Sequence, residues 1–135
     1  MTIFEQAFRN YLIDANLVQQ RVFLWRAPQV PASQMRYPYM VFLHIAPTTH
    51  PIHAGVVQLI DRDYQISIYD PSQTKVIGVA DSLRKYLDGT YDVEYQGIRF
   101  GMIQYRVQSS GYEPETKLFQ VIQEYRIQFH LAEAA

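Results

Sequence analysis

The sequence predicts an α+β fold: a mainly antiparallel β-sheet of about five or six strands with two α-helices packed on one face. Three observations predict it. Two segments, near 3–15 and 73–87, place apolar residues at helical spacing, with polar residues between them. The stretch 118–131 instead alternates with period two, Phe119, Val121, Tyr125, Ile127 and Phe129 on one parity and Gln120, Glu124, Arg126 and Gln128 on the other. The remaining strand-like runs are joined by turns and loops rather than by crossover helices, which favours antiparallel neighbours.

Thr2-Ile3-Phe4-Glu5 has the form of a capping box, in which a threonine hydroxyl and a glutamate three residues on satisfy orphan helix amides. Phe4, Ala7, Phe8, Tyr11, Leu12 and Ala15 then form the buried stripe of a first helix, which Asn16 ends. Residues 22–25, Val-Phe-Leu-Trp, are too short for a helix and rich in strand formers, so they read as a short strand. The next stretch, 26–38, carries Pro28, Pro31 and Pro38 and reads as a shaped loop. A nearly continuous apolar strand follows at 39–45, as expected of burial on both faces.

Residues 46–55 form a second loop. A long strand at 56–69 changes phase, because Val57 and Leu59 take odd positions whereas Tyr64, Ile66 and Ile68 take even ones; a bulge near 61–63 would reconcile them. Asp70-Pro71 opens the second helix as cap and first-turn proline. Its stripe is Val76, Val79, Ala80, Leu83, Tyr86 and Leu87, and Asp88-Gly89 closes it. Strands at 91–95, about 98–107 and 118–131 complete the chain.

A chain of 135 residues fits one domain spanning 1–135 and can bury a core without staples. With no cysteine there is no disulfide framework, thiol nucleophile or zinc ribbon. The start of the chain lacks a basic segment followed by an apolar run, and no later run reaches the ~20 residues of a membrane span, so neither export by signal nor membrane insertion is expected. A net charge of −1 lacks the basic excess of proteins that grip phosphate backbones.

No catalytic signature stands out. The nucleophile elbow, the Walker phosphate loop and the dinucleotide glycine turn are all absent, and the chain has six glycines in all. His50 and His53 stand three apart in a proline-broken loop with no third ligand fixed by sequence. Asp61 and Asp63, like Glu113 and Glu115, are carboxylates two apart, which need a cleft to acquire acid-base roles and read as solvated pairs. A small metal- or ligand-binding module or enzyme using His50, His53, Asp61 and Asp63 stands as the alternative reading. Tyr91, Tyr95, Phe100 and Tyr105, near Arg99 and Arg106, could stack single-stranded bases, but aromatics at alternate strand positions are more often core partners.

The glutamines fit either an assembly interface or an ordinary polar sheet face. Charged residues are 19% of the chain, below the roughly 25% of typical domains. Gln104, Gln108, Gln120, Gln123 and Gln128 instead occupy predicted strand positions. Glutamine hydrogen-bonds without carrying a full charge into an interface. From 118 onward there is neither lysine nor proline, two common devices that stop an edge strand from pairing with another chain. The last strand, through Gln120, Gln123, Arg126 and Gln128, is therefore the expected intersubunit edge.

A series of short motifs carries a family resemblance. They are Phe-Glu-x-Ala at 4–7, Pro-Tyr-x-Val-Phe at 38–42, Val-Gln-Leu-Ile-Asp leading to Tyr-Gln-Ile-Ser-Ile-Tyr across 57–69, and Leu-Asp-Gly at 87–89. Tyr-Glu-Pro-Glu-Thr-x-Leu-Phe at 112–119 and Tyr-Arg-Ile-Gln-Phe at 125–129 complete the series. In this order and spacing the chain resembles the tail-completion, or tail-to-head joining, proteins of long-tailed bacteriophages, related in role to tail terminators. The resemblance implies a structural virion protein, made in the bacterial host cytoplasm, whose subunits form a ring, often sixfold, in the assembled particle at the head-tail junction, whether or not the free protein is a monomer. It implies the tail tube protein and the head connector as partners, DNA only passing through, no membrane and no cofactor. Long shaped loops are natural docking devices for such partners. In the loops at 26–38 and 46–55 the candidates are Arg26, Gln29, Gln34, Arg36, Thr48, His50 and His53.

Overall fold

A computed structural model describes residues 3–31, 34–46, 52–54 and 57–131, with the backbone alone for 46, 52–54, 57–60 and 131. In chain order the elements are α1 (Ile3–Asp14), β1 (Val22–Leu24), β2 (Tyr39–Ala46), β3 (Ile52–Ala54), β4 (Val57–Asp70), α2 (Gln73–Leu87), β5 (Tyr91–Tyr95), β6 (Ile98–Glu113) and β7 (Leu118–Leu131). The strands form one curled sheet in the order β1-β2-β4-β7-β6-β5, with the short β3 paired to the start of β4. All described pairings are antiparallel except β1 with β2, which is parallel. Parallel neighbours need a return connection of about a dozen residues or more. The proline-rich stretch after β1 supplies that length.

Both helices lie on one face, as predicted. On β7 the odd positions Val121, Gln123, Tyr125, Ile127 and Phe129 are buried beneath them, and on β4 Tyr64, Ile66 and Ile68 join the same core. Phe4 of α1 stacks on Phe129 with ring centroids 3.9 Å apart, and Phe8 meets Phe42 edge-on at 5.6 Å. Each such ring contributes roughly 1.5–3 kcal/mol by leaving water. The helices are tied to each other where the Tyr86 hydroxyl donates to the Tyr11 carbonyl at 2.9 Å. Arg9 Nε donates to the Val22 carbonyl at 2.8 Å and holds α1 to β1. α1 closes in a tightened turn, Asn16 N donating to Ile13 O at 2.9 Å, with Asn16 left-handed at φ 56°. Asparagine tolerates that conformation better than most residues.

Four expectations are corrected. α2 begins two residues late: Ser72 is its cap, accepting from Lys75 N at 3.3 Å, while Asp70 accepts from Ser72 N at 2.7 Å in a preceding turn. β4 carries no bulge near 61–63, since its register with β7 is unbroken from Leu59 opposite His130 to Asp70 opposite Phe119. The irregularities lie on β2 and β6 instead. Ile45 is the extra residue of β2 between His44 and Ala46, and β6 has shifts between Phe100 and Met102 and between Tyr105 and Val107. β6 also runs on to Glu113, well past 107, forming a long hairpin with β7 around a turn at 114–117.

The fourth correction concerns β7 itself. It is an interior strand, paired to β4 along one side and to β6 along the other, so it offers no edge. A central strand needs neither lysine nor proline as protection, because both rows of its backbone groups are already bonded.

Candidate assembly surfaces

The 25–38 stretch presents Arg26, Gln29, Gln34 and Arg36 to solvent, all four as the sequence suggests for a docking loop. Its shape is set from beneath by Arg21, whose Nε donates to Pro38 O at 2.7 Å and whose Nη2 donates to Tyr37 O at 3.2 Å. Two tight turns, Val30 N to Pro28 O at 3.1 Å and Gln34 N to Pro31 O at 2.8 Å, hold the described parts of the loop. At its start stands a residue that the sequence assigns to the first strand but that lies just past its end. Trp25, the chain's one tryptophan, is 60% exposed and left-handed at φ 73°. A bulky residue in that region costs on the order of 1–3 kcal/mol. It is held there by its own amide, which donates to Phe42 O at 3.0 Å, and by Arg26 N donating to Leu24 O at 2.9 Å.

Of the second loop, Thr48 and His50 lie outside the described residues; His53 is placed on β3 by its backbone alone. Among the described residues no group of three or more histidine, aspartate or glutamate side chains is arranged to hold a metal ion. Asp63 is engaged by Arg126, Nε to Oδ1 at 3.0 Å and Nη2 to Oδ2 at 3.4 Å, directly across the β4–β7 register. That hydrogen-bonded pairing pushes the Arg126 pKa further up. Asp61 borders a shallow depression with Met102, Gln104, Arg126 and Gln128 on the helix-free face of the sheet.

The glutamines divide between the two faces. Gln120 and Gln128 stand on the helix-free side of β7, Gln120 donating to the Tyr69 hydroxyl at 3.0 Å. Gln123 does not belong with them: it is fully buried on the helix side. Its Nε2 donates to Ala80 O at 3.0 Å and Gln108 Oε1 at 2.8 Å, and its Oε1 accepts from the Tyr125 hydroxyl at 2.8 Å. The expectation of an intersubunit role for Gln123 is therefore corrected, because its parity turns it inward, where every hydrogen bond is made within the chain. Near the opposite end of the helix-free face, Tyr39 packs against Tyr69, Tyr37 and Phe23, with the Tyr39–Tyr69 centroids 5.0 Å apart. Burial, reinforced by the neighbouring tyrosines, pushes the Tyr39 hydroxyl up to about 12.

The open edge that the sequence assigned to β7 belongs to β6. β5 pairs with β6 only as far as Met102, so from 106 to 113 no described strand lies on the outer side of β6. This segment is exposed and contains neither lysine nor proline. Beside it, α2 and the hairpin enclose a groove of about 240 Å³ lined by Val76, Ile77, Tyr112, Phe119 and Val121, with Ser110 and Gly111 on the β6 side. Ile77 and Tyr112 are 42% and 50% exposed there. A clue existed in the sequence: Ile77 is a large apolar residue off the buried stripe of its helix.

No protein-family model matches the chain, and no curated protein matches it. The class its architecture defines is an α+β fold that recurs among solved structures. One similar chain comes from the virion of a native gene transfer agent (GTA) particle, with a TM-score of 0.63, 15% identity, and coverage of 93% of this chain and 90% of that one. A second solved chain aligns with a TM-score of 0.59 and 16% identity over 94% of this chain and 93% of its own. At these identities the likeness is one of fold.

Proposed function

We propose that this protein is a structural virion protein that completes a bacteriophage tail and joins the tail tube to the head connector, its subunits closing into a ring around the DNA path. The observation that carries this reading is the fold held in common, over nine-tenths of both chains, with a component of a GTA virion. The motif series adds to it, because its residues 112–117 fall on the exposed tip of the β6–β7 hairpin, before Leu118 and Phe119 return to the core.

A ring that closes by rotation needs two different patches on each subunit, one meeting the other in the next copy. The open β6 edge and the helix-free face bearing Gln104, Gln120, Arg126 and Gln128 are uncovered surfaces of a kind that such contacts use. The stretch with Arg26, Gln29, Gln34 and Arg36, and by sequence the stretch with Thr48, His50 and His53, are the axial docking loops. The protein acts in the virion, without cofactor, and DNA passes through the ring without being read.

The test is genetic. Deleting the gene from its phage or prophage is expected to leave filled heads and finished tails side by side in micrographs, and supplying the protein in trans restores joined particles. Joined, infectious particles made without the protein would overturn the proposal.

A further inference from the structure

The ring reading leaves open which parts of neighbouring copies touch, and two features at opposite limits of the sheet answer each other. Trp25 follows β1, the strand at one outer limit of the sheet, with its backbone held left-handed by hydrogen bonds and its side chain 60% exposed. The groove between α2 and the β6–β7 hairpin opens toward the opposite limit, beside the strand edge that β5 leaves unpaired. We infer that Trp25 of one copy seats in this groove of the next, and this inference rests on the proposed ring.

Shape, charge and placement agree. The groove is lined by Val76, Ile77, Tyr112, Phe119 and Val121, and at about 240 Å³ it is on the scale of one aromatic side chain rather than of a metabolite site. Beside Trp25 lies exposed Arg26, in a stretch, 25–38, with two arginines and no acidic residue. Glu113, next in the chain to Tyr112 of the groove lining, and Glu115 in the same hairpin turn are exposed and carry the opposite charge. A knob and a hole at opposite limits of one sheet cannot meet within a chain, and between chains they give a head-to-tail contact of the kind that closes a ring. Tryptophan anchored in a desolvated pocket, with an arginine beside it, is also the composition in which binding energy concentrates.

The sequence makes the test clean, because the chain has one tryptophan and no cysteine. The full chain is concentrated from low micromolar toward millimolar while its mass is followed by sedimentation and its tryptophan emission is recorded. The expected result is a blue shift of emission that tracks the rise in mass. Ile77→Asp, which sits on the solvent side of α2 and leaves the circular dichroism unchanged, is expected to abolish both. The double substitution Arg26→Cys with Ser110→Cys, which keeps Trp25, is expected to give a ladder of disulfide-linked copies on oxidation, whereas Arg26→Cys alone stops at dimers.

Oligomers whose Trp25 emission stays at the solvent-exposed wavelength, or which give no ladder, overturn the contact. So does a chain that stays monomeric throughout the range. None of these outcomes touches the proposed tail-joining role, which stands or falls on the deletion phenotype.

Discussion

At the scale of single residues, Gln123 shows how a polar side chain can belong to a core. It bridges α2 to the sheet through Ala80 O and satisfies the buried Tyr125 hydroxyl, so three elements share one amide. Gln123→Ala leaves that hydroxyl and the Ala80 carbonyl without these partners and opens a cavity. A loss of about 3 kcal/mol is expected in urea unfolding, since an unsatisfied buried group alone costs roughly 1–3 kcal/mol. Tyrosine supplies a second residue-scale prediction. Burial raises Tyr39 and Tyr64 to about 12 and pushes Tyr86 and Tyr125 higher still. Because the folded values lie above the unfolded one, the stabilisation is complete below about pH 10 and is lost as pH climbs through the folded values. Stability measured by denaturant is expected to be flat up to about pH 10 and to fall steeply above it. Phenolate absorbance is expected to rise together with unfolding rather than ahead of it.

At the scale of elements, much was legible because local signals agreed with the tertiary outcome. β5 and β7 begin and end where alternation and turn residues say they do; of the helical stripes Phe4, Ala7, Phe8, Leu12, Val76, Ala80, Leu83 and Leu87 are buried, and Tyr11, Val79 and Tyr86 are partly buried against the same core. The errors came where a side chain's role depends on partners distant in sequence. Asp70 and Ser72 are both competent caps, and the competition was settled by Asp70 turning back to bond Ser72 N. Ser72→Ala is accordingly expected to cost about 1 kcal/mol in thermal or urea unfolding, as for other caps. The phase change assigned to β4 was attributed to the wrong strand, because a bulge is a property of a pair and one sequence shows only half of it. Gln123 was grouped by residue type when its parity with Val121 and Tyr125 already pointed inward. The candidate groove was the least legible feature, assembled from α2, β6 and β7, which only the fold brings together.

At the scale of the molecule, the sheet order explains why surfaces rather than clefts carry the proposed role. The helices close one face, the other is a polar floor with a tyrosine cluster near one end, and the 25–38 stretch presents Arg26, Gln29, Gln34 and Arg36 to solvent. Reversing charge there by Arg36→Glu is expected to leave the melting temperature within about a degree of wild type, as for exposed substitutions made away from buried contacts. It should lower the yield of joined particles in a complementation assay; normal yield would remove this loop from the docking surface. No helix among the described residues is long and apolar enough to cross a membrane.

The half-finished pairing of β6 also has a kinetic signature. Along 107–113 successive amides point alternately toward β7 and toward no described strand, so hydrogen exchange in the free chain is expected to run slow and fast at every second residue. β7, flanked on both sides, is expected to exchange uniformly slowly. If neighbouring copies dock on that edge, the fast amides are the ones that fall silent, and a comb-like protection pattern becomes continuous.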